Sequence, residues 1–280
     1  MASVSSTALS ACYSALRRGL LRSSPQAVLD KNGYVSEIRQ NLIEGVYLSD
    51  FETDVRQGDG NELKSKFRAA HSSTALAVNT FAPFKRNETN KAALRLPNGS
   101  DFVHLQFERK CSAGILGRKP PNLDFVAEGP NSVVAIESKC TEHLSEHIAA
   151  FSSAYDEEIL DERRESTWFR EMHRLLDHPQ TYRWLNAAQL VKHAFGLSLT
   201  FRGQVVTLLY LFWEPTNPDQ YSEFAEHREE IDRFAESVAG SMPRFSAMSY
   251  PELWKCWDTY SEPDWLTHVA RLRARYEIDV

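Results

Sequence analysis

Four cysteines, Cys12, Cys111, Cys140 and Cys256, are spread over 280 residues, and no two of them form a Cys-x-x-Cys pair. A zinc ribbon and a disulfide framework are thereby disfavoured, and a reducing cytoplasmic setting is the expectation. Long apolar runs are missing too: stretches such as Val205 to Trp213 fall far short of the roughly 20 residues that cross a bilayer. No membrane span is expected. The chain has no G-x-x-x-x-G-K-[S/T] phosphate loop, no H-E-x-x-H zinc helix and no G-x-S-x-G nucleophile turn. ATP-driven work by this chain alone, zinc peptidase chemistry and serine hydrolase chemistry each lack their usual frame. Acid is absent from the first 29 residues, which carry Arg17, Arg18 and Arg22 among many Ser and Ala before Asp30. Organellar transit peptides and helical extensions share that pattern; a helical extension is expected, and the arginines interrupt any secretory apolar segment.

What remains is an ordinary globular composition, 42% hydrophobic and 25% charged, long enough to bury a substantial core. The expected division is an N-terminal helical extension (1–56), a central core (57–215) and a C-terminal helical and acidic extension (216–280). The net charge of −6 argues against indiscriminate coating of nucleic acid, but it conceals an asymmetry. From Glu62 to Lys119 there are 11 Lys or Arg against 4 Asp or Glu, a balance of +7; from Glu214 to Val280 there are 7 against 14, a balance of −7. A basic half of that kind can hold a polyanion. Drift of surface charge along the chain explains it equally well.

Periodicity and breakers place the elements. Helical spacing runs over Val35 to Glu44 with Gly45 positioned to close it, and over Glu62 to Val78 with a break near His71 to Ser73 where Ser72 or Ser73 caps a second piece. Phe102 to Phe107 alternates as a strand. Leu123 to Ala127 and Val133 to Lys139, separated by Glu128-Gly129-Pro130-Asn131, read as a hairpin. A charge-rich helical region is expected from Glu142 to about Leu176, ended at Asp177-His178-Pro179. Ala187 to Phe195 reads as a helix closed by Gly196, and Val205 to Trp213 as an interior strand. A helix from Tyr221 to Val238 and a short element at Phe245 to Tyr250 are expected to pack outside. The fold class is therefore α/β, with about four core strands and a core order of helix, three strands, helix, strand.

Glu137 and Lys139 stand two apart on a strand, so they project from one face, and the hairpin brings Asp124 to the same end. Their neighbours Val134, Ile136 and Ser138 point the other way. Burying a carboxylate and an amine at the end of an apolar strand is costly unless they have a role. The pattern E-x-K occurs three times, at Glu62, Glu108 and Glu137. Glu62 falls in a predicted helix, where positions two apart diverge, and Glu108 lacks an Asp on a preceding hairpin partner. Only Glu137 has the full arrangement. Two or three carboxylates that hold Mg²⁺, with one nearby ammonium, can supply what phosphodiester hydrolysis needs.

Pro121-Asn122-Leu123-Asp124, twelve residues, then Glu137-Ser138-Lys139 resembles the PD-(D/E)XK signature of the restriction-endonuclease-like nucleases, with the acid placed slightly later after the proline. Phe107-Glu108-Arg109-Lys110-Cys111 with Gly117, and His71 to Asn79, are similar to a bacterial family of restriction endonucleases within that superfamily, and the resemblance covers about Glu62 to Pro215. It implies the helix, three-strand, helix, strand core, and an Mg²⁺-dependent DNA endonuclease of restriction, defence or repair in which Mn²⁺ can substitute. Asp124 and Glu137 would bind the metal, Lys139 would position or activate the attacking water and stabilise the phosphorane, and Glu62, or next Glu108, would complete the metal site. Gln189 matches a Gln that related nucleases place on the later helix near the Lys. Lys66, Arg68, His71, Lys110, Arg118 and Lys119, with Lys192 and His193 one turn from Gln189, are the candidate phosphate contacts. Cutting two strands suggests a homodimer. A catalytically silent nucleic-acid-binding or scaffold domain, and a nuclease acting on RNA or branched DNA, remain the alternatives.

Weaker signals have plainer readings. His143 and His147 are four apart, but without a third spaced ligand they are expected to be exposed surface histidines. His71 beside Ser72 suggests helix capping or phosphate contact rather than a nucleophile with its base. The six tryptophans, among them the close pair Trp254 and Trp257, are expected to be mainly core.

Overall fold

The computed structural model describes residues 7–57, 65–115, 120–157, 161–260 and 262–280. Its strands are β1 (His104–Lys110), β2 (Asn122–Glu128), β3 (Ser132–Lys139), β4 (Val205–Phe212) and β5 (Arg244–Ser249). Its helices are α1 (Thr7–Ser23), α2 (Glu52–Gln57), α3 (Ser73–Phe81), α4 (Glu88–Ala93), α5 (Ala154–Glu157), α6 (Asp161–Arg164), α7 (Thr167–Asp177), α8 (Ala187–Thr200), α9 (Ser222–Val238), α10 (Tyr250–Cys256) and α11 (Pro263–Tyr276). The strands form one sheet in the order β1-β2-β3-β4-β5. The first three are antiparallel neighbours, while β3, β4 and β5 run parallel.

Each strand face buries against helices. Val134, Ile136, Leu209 and Leu211 share an apolar cluster with α1, α3, α10 and α11. Val133, Ala135, Leu208 and Phe212 share another with α7, α8 and α9. Coverage on both faces explains why β4 reads as an almost continuous apolar run. Alternation along β3 therefore sends 133, 135, 137 and 139 towards α8, and 134, 136 and 138 towards α3. Ser138 confirms the second direction, since its hydroxyl lies 2.7 Å from Tyr250 Oη and donates to Ser73 O at 3.3 Å.

The hairpin, the strand at Val205 and the cap by Ser72, whose hydroxyl accepts from Ala75 N, are where the sequence places them. Elsewhere tertiary bonds override local pattern. Only a 3-10 turn, Ile38–Asn41, forms in the stretch expected to be helical before Gly45. Asn41 bonds to Phe67 O and Ala69 O, and Ile43 N bonds to Asn79 Oδ1, so that segment spends its polar groups outside itself. From Glu142 a 3-10 turn ends at Leu144, and His147 N and Ala149 N then bond to Arg183 O and Pro179 O instead of continuing a helix. The element near Phe245, expected outside, is the fifth strand, paired along β4. Gly196 does not end its helix: α8 runs on to Thr200.

No described helix is long and apolar enough to cross a membrane. Trp168, Trp213, Trp254 and Trp257 are almost wholly buried, in keeping with a core role.

Candidate active site

The register of the sheet sets three carboxylates in a row. Phe125 pairs with Ile136, so one step further Asp124 stands opposite Glu137. On the other side the ladder runs Phe107 with Phe125 and Arg109 with Leu123, which sets Glu108 opposite Asp124. Glu137 faces the α8 side by alternation, and at Asp124 the alternation breaks, since Leu123 and Val126 pack in the α8-side cluster and Phe125 in the other. Glu108 has φ 52°, a left-handed conformation that costs a residue with a Cβ about 1–3 kcal/mol, and the ladder is interrupted there. Strain of that kind is retained where the surrounding structure dictates it, and here it sits at the end of the acidic row.

These three acids, Lys139 and Gln189 line one pocket of about 710 Å³, together with Lys66, His71, Glu142 and His147. Glu137 is 2% exposed. Its Oε1 accepts from Lys139 Nζ at 2.5 Å. Lys139 Nζ also donates to Gln189 Oε1 at 2.9 Å. The fully buried His193 brings Nε2 to 2.9 Å from Glu137 Oε2, a close polar contact that lacks the alignment of a hydrogen bond. Asp124 Oδ2 accepts from Ser138 N at 2.7 Å. Gln189 and His193, one helical turn apart on α8, thus meet Lys139 and Glu137, two apart on β3.

The charges are unevenly settled. Burial alone would raise the Glu137 carboxyl, but the Lys139 ammonium and then His193 outweigh it and hold it at about 2. Burial first, then the charges of Glu137 and Glu108, push Asp124 well above the usual carboxylate range, against weaker pulls from Lys139 and the Ser138 N–H. Burial would lower the Lys139 ammonium, and the surrounding carboxylates of Glu137, Glu142 and Asp124 raise it instead. Burial and the two neighbouring acids therefore favour the protonated form of Asp124 over the charged one.

The remaining candidates separate. Lys66 and His71 line the pocket; Arg68, Lys110 and Lys192 do not. Arg68 donates to Ser36 O, Lys110 to Gln57 O and Lys192 to Ala150 O. His193, expected as a phosphate contact, is fully buried behind Glu137, so that expectation is corrected: the same helix face that carries Gln189 to Lys139 carries His193 inwards. His143, expected at the surface, is 1% exposed and stacks on His227 with ring centroids 4.5 Å apart. Glu62, Arg118 and Lys119 lie outside the described residues.

Sequence reading passed over Tyr13, Tyr34 and Glu142, which also line the pocket. Glu142 carried a usable signal, a further acid three residues beyond Lys139. Tyr13 carried none, because its position depends on where α1 docks. Among the described residues no three His, Cys, Asp or Glu side chains are already gathered in a metal-holding cluster.

A family model described as Restriction Endonuclease associating with ARP matches residues 14–277. Neither a curated protein nor a solved structure matches the chain.

Proposed function

The chain belongs to the family of restriction endonucleases associating with ARP, and from that membership we propose that it is a nuclease hydrolysing DNA phosphodiesters with a divalent metal ion held by Asp124, Glu137 and Glu108. The observation that carries this reading is the register-matched row of three carboxylates beside Lys139 in one pocket. In it, α3, β1 to β3, α8 and β4 form the restriction-endonuclease-like core.

Mg²⁺, or Mn²⁺ in its place, suits this donor set. Hard cations prefer carboxylate oxygens, the Asp124 carboxyl is pushed well above its usual range by burial and by the neighbouring acids, which a bound cation would offset, and Glu137 Oε2 is buried without a hydrogen bond. When bound, such an ion offsets charge on a phosphate oxygen and lowers the pKa of a water. The chain's own residues do the rest. Lys139 holds a proton firmly and is placed to orient the attacking water and offset charge on the phosphorane. Gln189 fixes the ammonium in position, and His193 steadies the Glu137 carboxylate from behind.

The roles open to such a nuclease are restriction, defence or repair, and the family is described as associating with ARP. Cleavage of both strands of a duplex would require two centres and hence a homodimer. A silent nucleic-acid-binding domain is the second reading, favoured by the closed Lys139–Glu137 pair. The test is digestion of duplex, single-stranded and branched DNA and of RNA with Mg²⁺ or EDTA, with the ends mapped. Metal-dependent cleavage leaving 5′-phosphates is expected on DNA. Binding without cleavage under any metal supports the silent domain instead.

A further inference from the structure

Besides the acidic row, the pocket has an aromatic wall that the proposed chemistry leaves unused. Tyr13 from α1, Tyr34 from the following loop and His71 just before α3 all line it. Tyr13 and His71 are stacked, with ring centroids 3.9 Å apart and planes 28° from parallel. Tyr34 meets His71 edge-on at 6.2 Å and 88°. Each of the three side chains is half-buried and lines the pocket. Burial raises the Tyr13 phenol above its ordinary pKa, and the side chain of Thr141, another pocket residue, opposes it. Burial pushes the His71 ring below its ordinary pKa, with Arg17 pulling the same way and Glu142 opposing, and so favours its neutral form. The wall is therefore an uncharged π surface, with Lys66 on the same pocket.

We propose that Tyr13, His71 and Tyr34 form a stacking subsite for one unpaired nucleobase adjoining the phosphate addressed by Asp124, Glu137 and Lys139. The proposal rests on the nuclease reading and adds a substrate class to it. Aromatic side chains stack any base, because every base has a π face, but a base inside a duplex has both faces occupied by its neighbours. A cavity of about 710 Å³ is of the size that encloses a ligand of one or two nucleotides. The substrate therefore presents an unpaired nucleotide at the cut, in a single strand or as a base turned out of a duplex.

The test is binding of the full chain, with Ca²⁺ supplied as divalent cation, to a short single-stranded oligonucleotide and to a duplex with one unpaired base. In each, one base at a time is removed to leave an abasic site or replaced by fluorescent 2-aminopurine. At one position base removal should weaken binding about 5- to 100-fold, and 2-aminopurine there should be quenched. In His71→Leu and Tyr34→Leu that position should lose its special effect. Binding indifferent to base removal at every position in the wild-type chain overturns the subsite, whether or not the variants fold. A chain that shows the abasic effect yet cleaves nothing with Mg²⁺ refutes the nuclease reading and leaves the subsite standing. A response on the single strand alone would assign the base to single-stranded substrates, and a response on both to turned-out bases as well.

Discussion

Lys139 and Glu137 are held by side chains that come from a different element with a different period. Gln189 Oε1 accepts from Lys139, and His193 lies against Glu137 Oε2. Residues that orient a metal ligand or its ammonium neighbour typically contribute 10- to 100-fold to affinity or rate without touching the substrate. Gln189→Ala is accordingly expected to lower Mg²⁺-dependent cleavage by about that factor while leaving thermal unfolding nearly unchanged, since Gln189 is only partly buried. His193→Leu should behave differently. It replaces the imidazole that lies against a buried carboxylate oxygen with an apolar side chain, so both stability and cleavage should fall. Equal melting temperatures for wild type and His193→Leu, measured by calorimetry, would show that His193 does not support Glu137. Asp124, Glu137 and Lys139 were legible from the sequence because a strand of period two and a tight turn determine which side chains share an end. Gln189 needed the resemblance as well.

Helix α8 shows where local reading stops. Gly196 looks like a helix terminator, yet the helix continues to Thr200. The reason is close approach: a Cβ at 196 would lie 2.2 Å from Cys111 O, on the chain just after β1. Gly196→Ala therefore gains up to about 1 kcal/mol of helix propensity but forces α8 off that backbone, and overpacking of this sort costs about 1–3 kcal/mol. A net loss of stability in urea unfolding is expected, with a drop in cleavage because Gln189 and His193 move with the helix. A stabilised Gly196→Ala protein would contradict the account. The same limit explains β5, which pairs with β4 over Thr207 to Phe212 although its residues, only partly buried, read as peripheral. Sequence pattern resolves which face of an element is apolar, but not which backbone groups find partners elsewhere, as Asn41, Ile43, His147 and Ala149 do.

At the scale of the molecule, the chain ends meet. Arg275 of α11, 1% exposed, donates to Leu16 O in α1, to Asn41 Oδ1 and to Ala70 O, one residue before His71. The docking that brings Tyr13 into the pocket is thus tied to the far terminus, which no local pattern announces. The interior also holds neutral histidines: burial lowers His143 to about 3 and His268 to about 4. Their unfolded value is about 6.5, so below that pH the unfolded chain takes up protons that the folded one refuses. Stability from each ring is complete above pH 6.5 and is lost as pH falls, by about 1.4 kcal/mol per pH unit, until the folded pKa is reached. Urea unfolding from pH 7.5 to 4.5 should show this decline, and His268→Gln should make it shallower; an unchanged slope would contradict burial of a neutral ring. The whole architecture of sheet register, α8 and closed termini serves one pocket, and the claim that this pocket hydrolyses phosphodiesters is tested most directly by comparing wild type with Lys139→Ala in Mg²⁺. The account predicts metal-dependent cleavage by the wild-type chain and a loss on the order of 100- to 1,000-fold in the variant; cleavage at equal rates by both would contradict it.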